Sequence, residues 1–331
     1  MRRRLLRATL GLGAFAALGQ VGVLAGGGAL RWQRRALIGF GTVLSLQAAH
    51  EDEAVLARAL DAAVAALQRI EGQMSLFRPD SALARLNRDG VLADAPPELR
   101  EVLALALEVA RESGGAFDPT VQPLWEVFAG ARADGRLPTA AEVAAARARV
   151  GWSDLHLDAP SGVRLGRPGM GVTLNGIAQG WAADRVRDVL ARYGVRHALV
   201  DAGEYAMAGR NPRGGRWTLG IADPHDEARL LARLLADGRC VATSSDAAMH
   251  FSDDRRHHHI VDPHTGWSPT GLSGVTVAAD RGALADALTK VMFVAGPERV
   301  PELARHWNVD VLWVDKAGRW AATPGLILGR S

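Results

Sequence analysis

The sequence predicts an α+β fold, with mixed sheets and flanking helices, and three observations carry that expectation. Hydrophobic residues make up 48% and charged residues 23% of the 331 residues, a globular balance with enough chain for a substantial core. The first half holds long stretches with apolar residues at helical spacing, whereas the second half breaks into short strand-like pieces. No internal repeat is present, and no low-complexity tract lies beyond the first 25 residues.

Residues 1–25 place four arginines before an uncharged run of small and apolar residues, the layout of an export signal. Arg3-Arg4-Leu5-Leu6-Arg7 is similar to a twin-arginine signal, and Val23-Leu24-Ala25 offers a small-residue cleavage site. The alternative is an uncleaved N-terminal anchor, and both place the protein in a bacterial envelope, periplasmic once exported. A short basic linker, 26–36, leads to the main domain at 37–331, where Leu37–Gln47 is expected to be a first strand.

Leu56, Leu60, Val64 and Leu67 mark a helix between Glu53 and Glu71. Pro96-Pro97 with Glu98 and Glu101 opens a second helix, which Ser113-Gly114-Gly115 ends. Thr139 and Glu142 form a capping box for a helix reaching about Arg149. Val172–Leu174 reads as a strand entering a helix near Gly176. Further strands are expected near His197–Asp201, Trp217–Ala222, Val241–Thr243 and His258–Val261. Val275–Ala279 precedes a helix from about Ala283 to Val294, and Val309–Val314 with Arg319–Ala322 flanks a hairpin turn.

The formal charge of +3 becomes −1 once the four leader arginines are set aside, so no basic surface argues for nucleic acid. Cys240 is the single cysteine, which excludes an internal disulfide or a thiolate metal cage. Four clusters depart from ordinary loop composition: Met74–Asn87, Ser113–Thr120, Val172–Gly180 and Arg255–Gly266. In the second, glycines permit close backbone approach to a ligand, and Phe117 beside Asp118 offers stacking with a polar handle. The third matches neither GxGxxG nor GxxxxGK[ST], although its helix start could face an anion. In the fourth, a strand would put His257 and His259 on one face, at a spacing open to zinc or to a solvated edge. Asp286 is the only acid on a helix of mostly Ala, Leu, Val and Met. With Thr289 it forms a candidate for a hard cation, and a capping role is the structural alternative.

In this order, Phe40-Gly41-Thr42, MSLFRPDSALARLN, SGGAFDPTVQPLW, LNGIAQGWAADRV, LVDAGEYAMAG, VATSSD, HHHIVDPHTG and ADALTKVMFVAG resemble the ApbE family of FAD:protein FMN transferases. The resemblance spans 40–296. It implies an exported α+β enzyme with a T-fold-like core that uses Mg²⁺ to split FAD, joins FMN to a threonine of a target flavoprotein and releases AMP. Targets in the family belong to membrane redox complexes. The resemblance implies Asp286, the Gly176 carbonyl and Thr289 as metal ligands. It implies Phe40, Phe77, Ala116, Phe117, Asp118, Thr173, Gln179 and His259 as flavin contacts. His259 is the candidate for activating the acceptor hydroxyl, with Asp262 orienting it. Phe40 stands where Met is common, Thr173 where Asp is frequent, Gln179 where Lys is frequent, and Gly203-Glu204 where many members have two glycines. The family's second metal side chain, a Thr four residues after the Asp, is here Lys290. An FAD carrier without transfer and an FAD hydrolase giving FMN and AMP are the rival expectations.

Overall fold

The computed structural model describes residues 30–329; the expected export segment and residues 26–29 of the expected linker lie outside them. Arg31–Arg35, expected as linker, and Leu37–Gln47, expected as one strand, instead form a hairpin of β1 (Arg31–Gly39) and β2 (Thr42–His50). Its two-residue turn, Phe40-Gly41, has φ of 51° and 77°, the backbone hand that suits tight antiparallel pairing. Arginines on β1 keep the sheet edge polar.

α1 (Glu53–Met74) starts where Asp52 accepts from the amides of Ala54 and Val55, at 2.8 and 3.0 Å. It buries Leu56, Leu60, Leu67 and Ile70 as the spacing requires. α2 (Ala82–Asp89), β3 (Val91–Leu92), α3 (Pro97–Glu112), α4 (Gln122–Ala133) and α5 (Ala140–Arg147) follow. The Thr139–Glu142 capping box is present in both directions, although α5 ends two residues before the expected Arg149. β4 (Leu155–Leu157) and β5 (Val163–Leu165) complete a small sheet with β3.

Val172–Leu174 is not a strand. The Asn87 side chain pairs with both backbone groups of Val172, at 2.7 and 2.8 Å, taking the place of a neighbouring strand. The helix expected near Gly176 begins at Ala178, as α6 (Ala178–Arg192). Then come β6 (His197–Asp201), β7 (Tyr205–Ala208), β8 (Thr218–Asp223), β9 (Asp226–Leu235) and β10 (Cys240–Ser245). His258–Val261, expected as a strand, contributes one isolated bridge, His250 to His258. The chain closes with β11 (Leu272–Ala279), α7 (Gly282–Ala295), α8 (Val300–His306), β12 (Asp310–Asp315), β13 (Trp320–Ala322) and β14 (Leu328–Gly329).

The principal sheet has the order β1-β2-β6-β7-β10-β11-β12-β13, antiparallel throughout. α1, α6 and α7 cover one face, while β8, β9 and β14 form a second sheet over the other. Both faces of β11 are therefore buried: Val275 and Val277 join the helical core, and Ala278 joins the core under the second sheet. A third cluster, around Phe128, Phe251 and Val261, anchors the histidine-rich loop. Among the described residues, no helix is long and apolar enough to cross a membrane.

Candidate functional site

The site forms where α6 meets α7. The helices touch backbone to backbone, and a Cβ at Gly180 would lie 2.1 Å from the Gly282 carbonyl oxygen. Each helix then supplies an aspartate to the other's start. Asp184 accepts from the amides of Gly282 (2.7 Å) and Ala283 (3.0 Å), and Asp286 accepts from Gly180 N at 3.2 Å. Asp286 is fully buried and caps the neighbouring helix with one oxygen, not its own helix start.

Its other oxygen, Oδ1, is held by the Lys290 ammonium, which also donates to the Asp286 carbonyl at 3.2 Å. The lysine stem lies over Gly176. A Cβ there would meet Lys290 Cε and the Phe117 ring, each at 3.2 Å. Glu204, buried, accepts from Thr243 N at 3.0 Å. Burial, reinforced by the Asp286 charge and opposed by Lys290, holds the Glu204 carboxyl well above the ordinary carboxylate range. The Gly203 φ of 92° lets this turn pass under Gln179, whose Nε2 would be 2.1 Å from a Cβ.

Thr289 meets this cluster only through the Asp286 backbone carbonyl. Its hydroxyl donates to the Asp286 carbonyl at 2.7 Å and pairs with Ser244 Oγ at 2.7 Å. A Mg²⁺ ion requires near-octahedral oxygen donors. Here the only side-chain carboxylate expected for it is shared between an amide and an ammonium, and the expected hydroxyl is bonded elsewhere. The residues present do not fit that ion, and Thr289 is corrected to a packing role.

Phe117 is buried and Ala116 is half-buried against the same core. Asp118 turns inward rather than offering a free handle. Its Oδ1 accepts from Thr120 N (2.7 Å) and Thr120 Oγ1 (2.6 Å), and its Oδ2 accepts from Trp152 N (3.0 Å). Burial raises its pKa despite these bonds. Thr173 pairs its amide with the Pro119 carbonyl at 2.8 Å, while its hydroxyl accepts from Asn175 N at 3.2 Å within its own turn. Phe40 and Phe77 lie at the far end of α1: Phe40 N donates to Glu71 Oε1 at 3.0 Å, and Phe77 is 71% exposed in the loop after the helix.

The three histidines separate. His257 packs between Phe128 and Trp267, with ring centroids 6.2 and 5.5 Å away. His258 is fully buried, with Nε2 3.1 Å from the Pro269 carbonyl, and burial lowers its pKa to about 4. Only His259 presents a usable nitrogen. Its Nδ1 lies 2.9 Å from the Met249 carbonyl, an acceptor, so Nδ1 carries the proton and Nε2 keeps its lone pair. Burial, with the Lys290 charge adding to it, lowers the imidazole pKa, so the ring is neutral at pH 7.

Asp262 does not orient His259. Its Oδ1 accepts from His264 N at 2.9 Å and lies 3.0 Å from His264 Nδ1, while His264 Nε2 reaches the Gly114 carbonyl at 2.9 Å. Asp262 thus ties the Asp262–Gly266 turn to the glycines preceding Phe117. Among the described residues, no three His, Cys, Asp or Glu side chains converge as a metal site, which removes the zinc alternative for His257 and His259. Asp184 and Glu204 were not singled out from the sequence. An acid among the buried residues of a helix was the available signal for Asp184; Glu204 left only a departure from the family's pattern.

Two helix starts crossing backbone to backbone, a buried Asp286–Lys290 pair and the Phe117 ring over Gly176 make up the site, and comparison with known proteins gives its class. The ApbE family model matches residues 40–313, and the chain belongs to that family. It is 31% identical to an FAD:protein FMN transferase of Treponema pallidum, over 93% of this chain and 91% of that protein. A Vibrio cholerae protein of the same name is 32% identical over 76% and 77% of the two chains. Among solved structures, the ApbE protein of Thermotoga maritima aligns with a TM-score of 0.78 at 27% identity, covering 89% of this chain and 97% of its own. The apo flavinyl transferase ApbE of Pseudomonas stutzeri aligns with a TM-score of 0.75 at 28% identity, over 89% and 94%.

Proposed function

We propose that this chain transfers FMN from FAD to a threonine hydroxyl of a target flavoprotein, with AMP as leaving group. The observation that carries the reading is His259, neutral, its Nδ1 held by the Met249 carbonyl, and close enough to Lys290 to feel the lysine's charge. In the step, Nε2 takes the threonine proton as the threonine oxygen bonds to the flavin-side phosphorus. The bond from that phosphorus to the bridging oxygen breaks, and the bridging oxygen leaves with AMP. Phe117 supplies an apolar wall for the flavin half, and the Lys290 ammonium is the donor nearest the start of α6 for phosphate oxygens. Mg²⁺, which the family resemblance implies, has no part in this step, because the side chains around Asp286 do not fit it.

The target is an exported, threonine-bearing flavoprotein of a membrane redox complex, and the protein itself acts in the periplasm. This localisation rests on the basic and apolar composition of residues 1–25. The test incubates the full chain with FAD and a flavoprotein fragment carrying an Asp-Gly-Ala-Thr segment. In-gel flavin fluorescence on the fragment, with stoichiometric AMP, is the expected outcome. Free FMN without labelled fragment would make the protein a hydrolase, and bound but unchanged FAD would make it a carrier.

A further inference from the structure

A buried carboxylate is a poor lining for a phosphate site, yet Asp286 caps the start of α6 close to where Phe117 and Lys290 lie over Gly176. Bare, it would repel a pyrophosphate. The cation on it is Lys290. Its ammonium contacts Asp286 twice, its stem and the Phe117 ring both lie over Gly176, and its charge acts to lower the pKa of Glu204 and of His259. The side chain is 20% exposed whereas that of Asp286 is 1% exposed, so the lysine is the member of the pair that reaches the open side.

We propose that the Lys290 ammonium, seated on Asp286, is a built-in cation for the FAD pyrophosphate and makes flavin binding independent of divalent metal. The assignment rests on the FMN-transfer reading for the identity of the anion. Charge arithmetic sets its character. A carboxylate with a divalent ion carries one net positive charge, whereas a carboxylate with an ammonium carries none. Lys290 therefore cancels the repulsion of Asp286 and donates directed hydrogen bonds, rather than creating a strong positive centre. The i, i+4 spacing on α7 fixes the pair before any ligand arrives, so no ion need be recruited.

The test measures FAD binding to the full-length protein by titration calorimetry, in EDTA and in millimolar Mg²⁺, alongside direct titration of Mg²⁺ alone. Wild type should bind FAD equally, within about twofold, in both buffers and show no Mg²⁺ binding isotherm. Lys290→Met, which keeps most of the stem, should weaken FAD by at least about tenfold in EDTA. Lys290→Thr should be equally weak in EDTA but recover with Mg²⁺, because a hydroxyl replaces the ammonium. A wild-type affinity that rises tenfold with Mg²⁺ overturns the proposal, and so does a folded Lys290→Met protein that binds FAD like wild type in EDTA. If Lys290→Met does not fold, the wild-type comparison alone decides. Covalent labelling of the Asp-Gly-Ala-Thr fragment is scored separately. Its absence with metal-independent FAD binding would overturn the transfer reading and leave the lysine assignment standing.

Discussion

The starts of α6 and α7 are built by the same device, an aspartate donated by the opposite helix, yet they differ in what the aspartate has left over. Asp184 is saturated. Besides two amides, its Oδ1 accepts from Arg187 at 3.3 Å and lies 3.4 Å from the Cys240 thiol, whose pKa burial pushes to about 12. Asp286 receives one amide and gives its remaining oxygen to a lysine at the edge of the site. Burial and residue type do not distinguish the two. The partners do: the groups on Asp184 are all inside the fold, whereas one oxygen of Asp286 is held by a lysine that reaches the open side and can also meet a ligand.

The strongest way to break this comparison is to neutralise each acid in turn. Asp286→Asn keeps an acceptor for the Gly180 amide, so the fold should survive while the lysine loses its charged seat. FMN transfer should fall by about 10²–10³, the usual cost of losing one preorganised charge interaction at a reacting centre. Melting temperature and in-gel fluorescence check the two halves, and near-normal transfer would reduce Asp286 to a cap. Asp184→Ala should do the reverse. It strands two buried amides and a guanidinium, costing about 3–4 kcal/mol by urea denaturation, with turnover per folded molecule preserved.

The same contrast explains what was legible in the sequence. Asp286 stood out as a lone acid on an apolar helix, and α1, α3 and α5 were readable because their periodicity, prolines and capping box agree with their burial. The β12–β13 hairpin followed from its turn. β9 did not: its sequence, DEARLLARLL, has the composition of a helix, and only pairing with β8 and β14 holds it extended. β1 was hidden by its arginines, which suit an edge strand as well as a linker. Within the site, residue types were legible but partners were not. Asp262 lies three residues from His259, yet the loop turns it to His264, a choice made by tertiary contacts with Gly114.

A pH series sharpens the comparison with adjacent histidines. His258 is saturated by burial. Its pKa of about 4 lies below the 6.5 of an exposed imidazole, so between those values the unfolded chain binds the proton and the fold does not. Its contribution is fully present above pH 6.5 and is lost as pH falls toward 4, amounting to roughly 3 kcal/mol. Urea denaturation at pH 7 and 4.5 should show that loss in wild type and a smaller one in His258→Leu. His259, whose Nε2 keeps its lone pair, should instead govern turnover. Transfer should fall on acidification below the ordinary histidine range, and His259→Gln should be slow and lack that limb.

The smallest effect is expected where the sequence was most misleading. Thr289 is one residue away from the position of the family's metal hydroxyl, and its side chain is fully buried. Both of its hydrogen bonds remain inside the protein, to the Asp286 carbonyl and to Ser244 on β10. It therefore belongs with Asp184 rather than with Asp286. Thr289→Val keeps the shape and removes the hydroxyl, leaving Ser244 without its partner, so the cost should be about 1–2 kcal/mol of stability. Adding Ser244→Ala should recover part of that loss, because the orphaned hydroxyl disappears, and the two changes should be clearly non-additive in urea denaturation. Transfer by the folded single variant should stay within about twofold of wild type, since no bond to Lys290 or to the Asp286 carboxylate is touched. A Thr289→Val protein of normal stability that has lost transfer would place Thr289 in the reacting site and end the distinction between groups held inside the fold and groups that reach a ligand at this crossing.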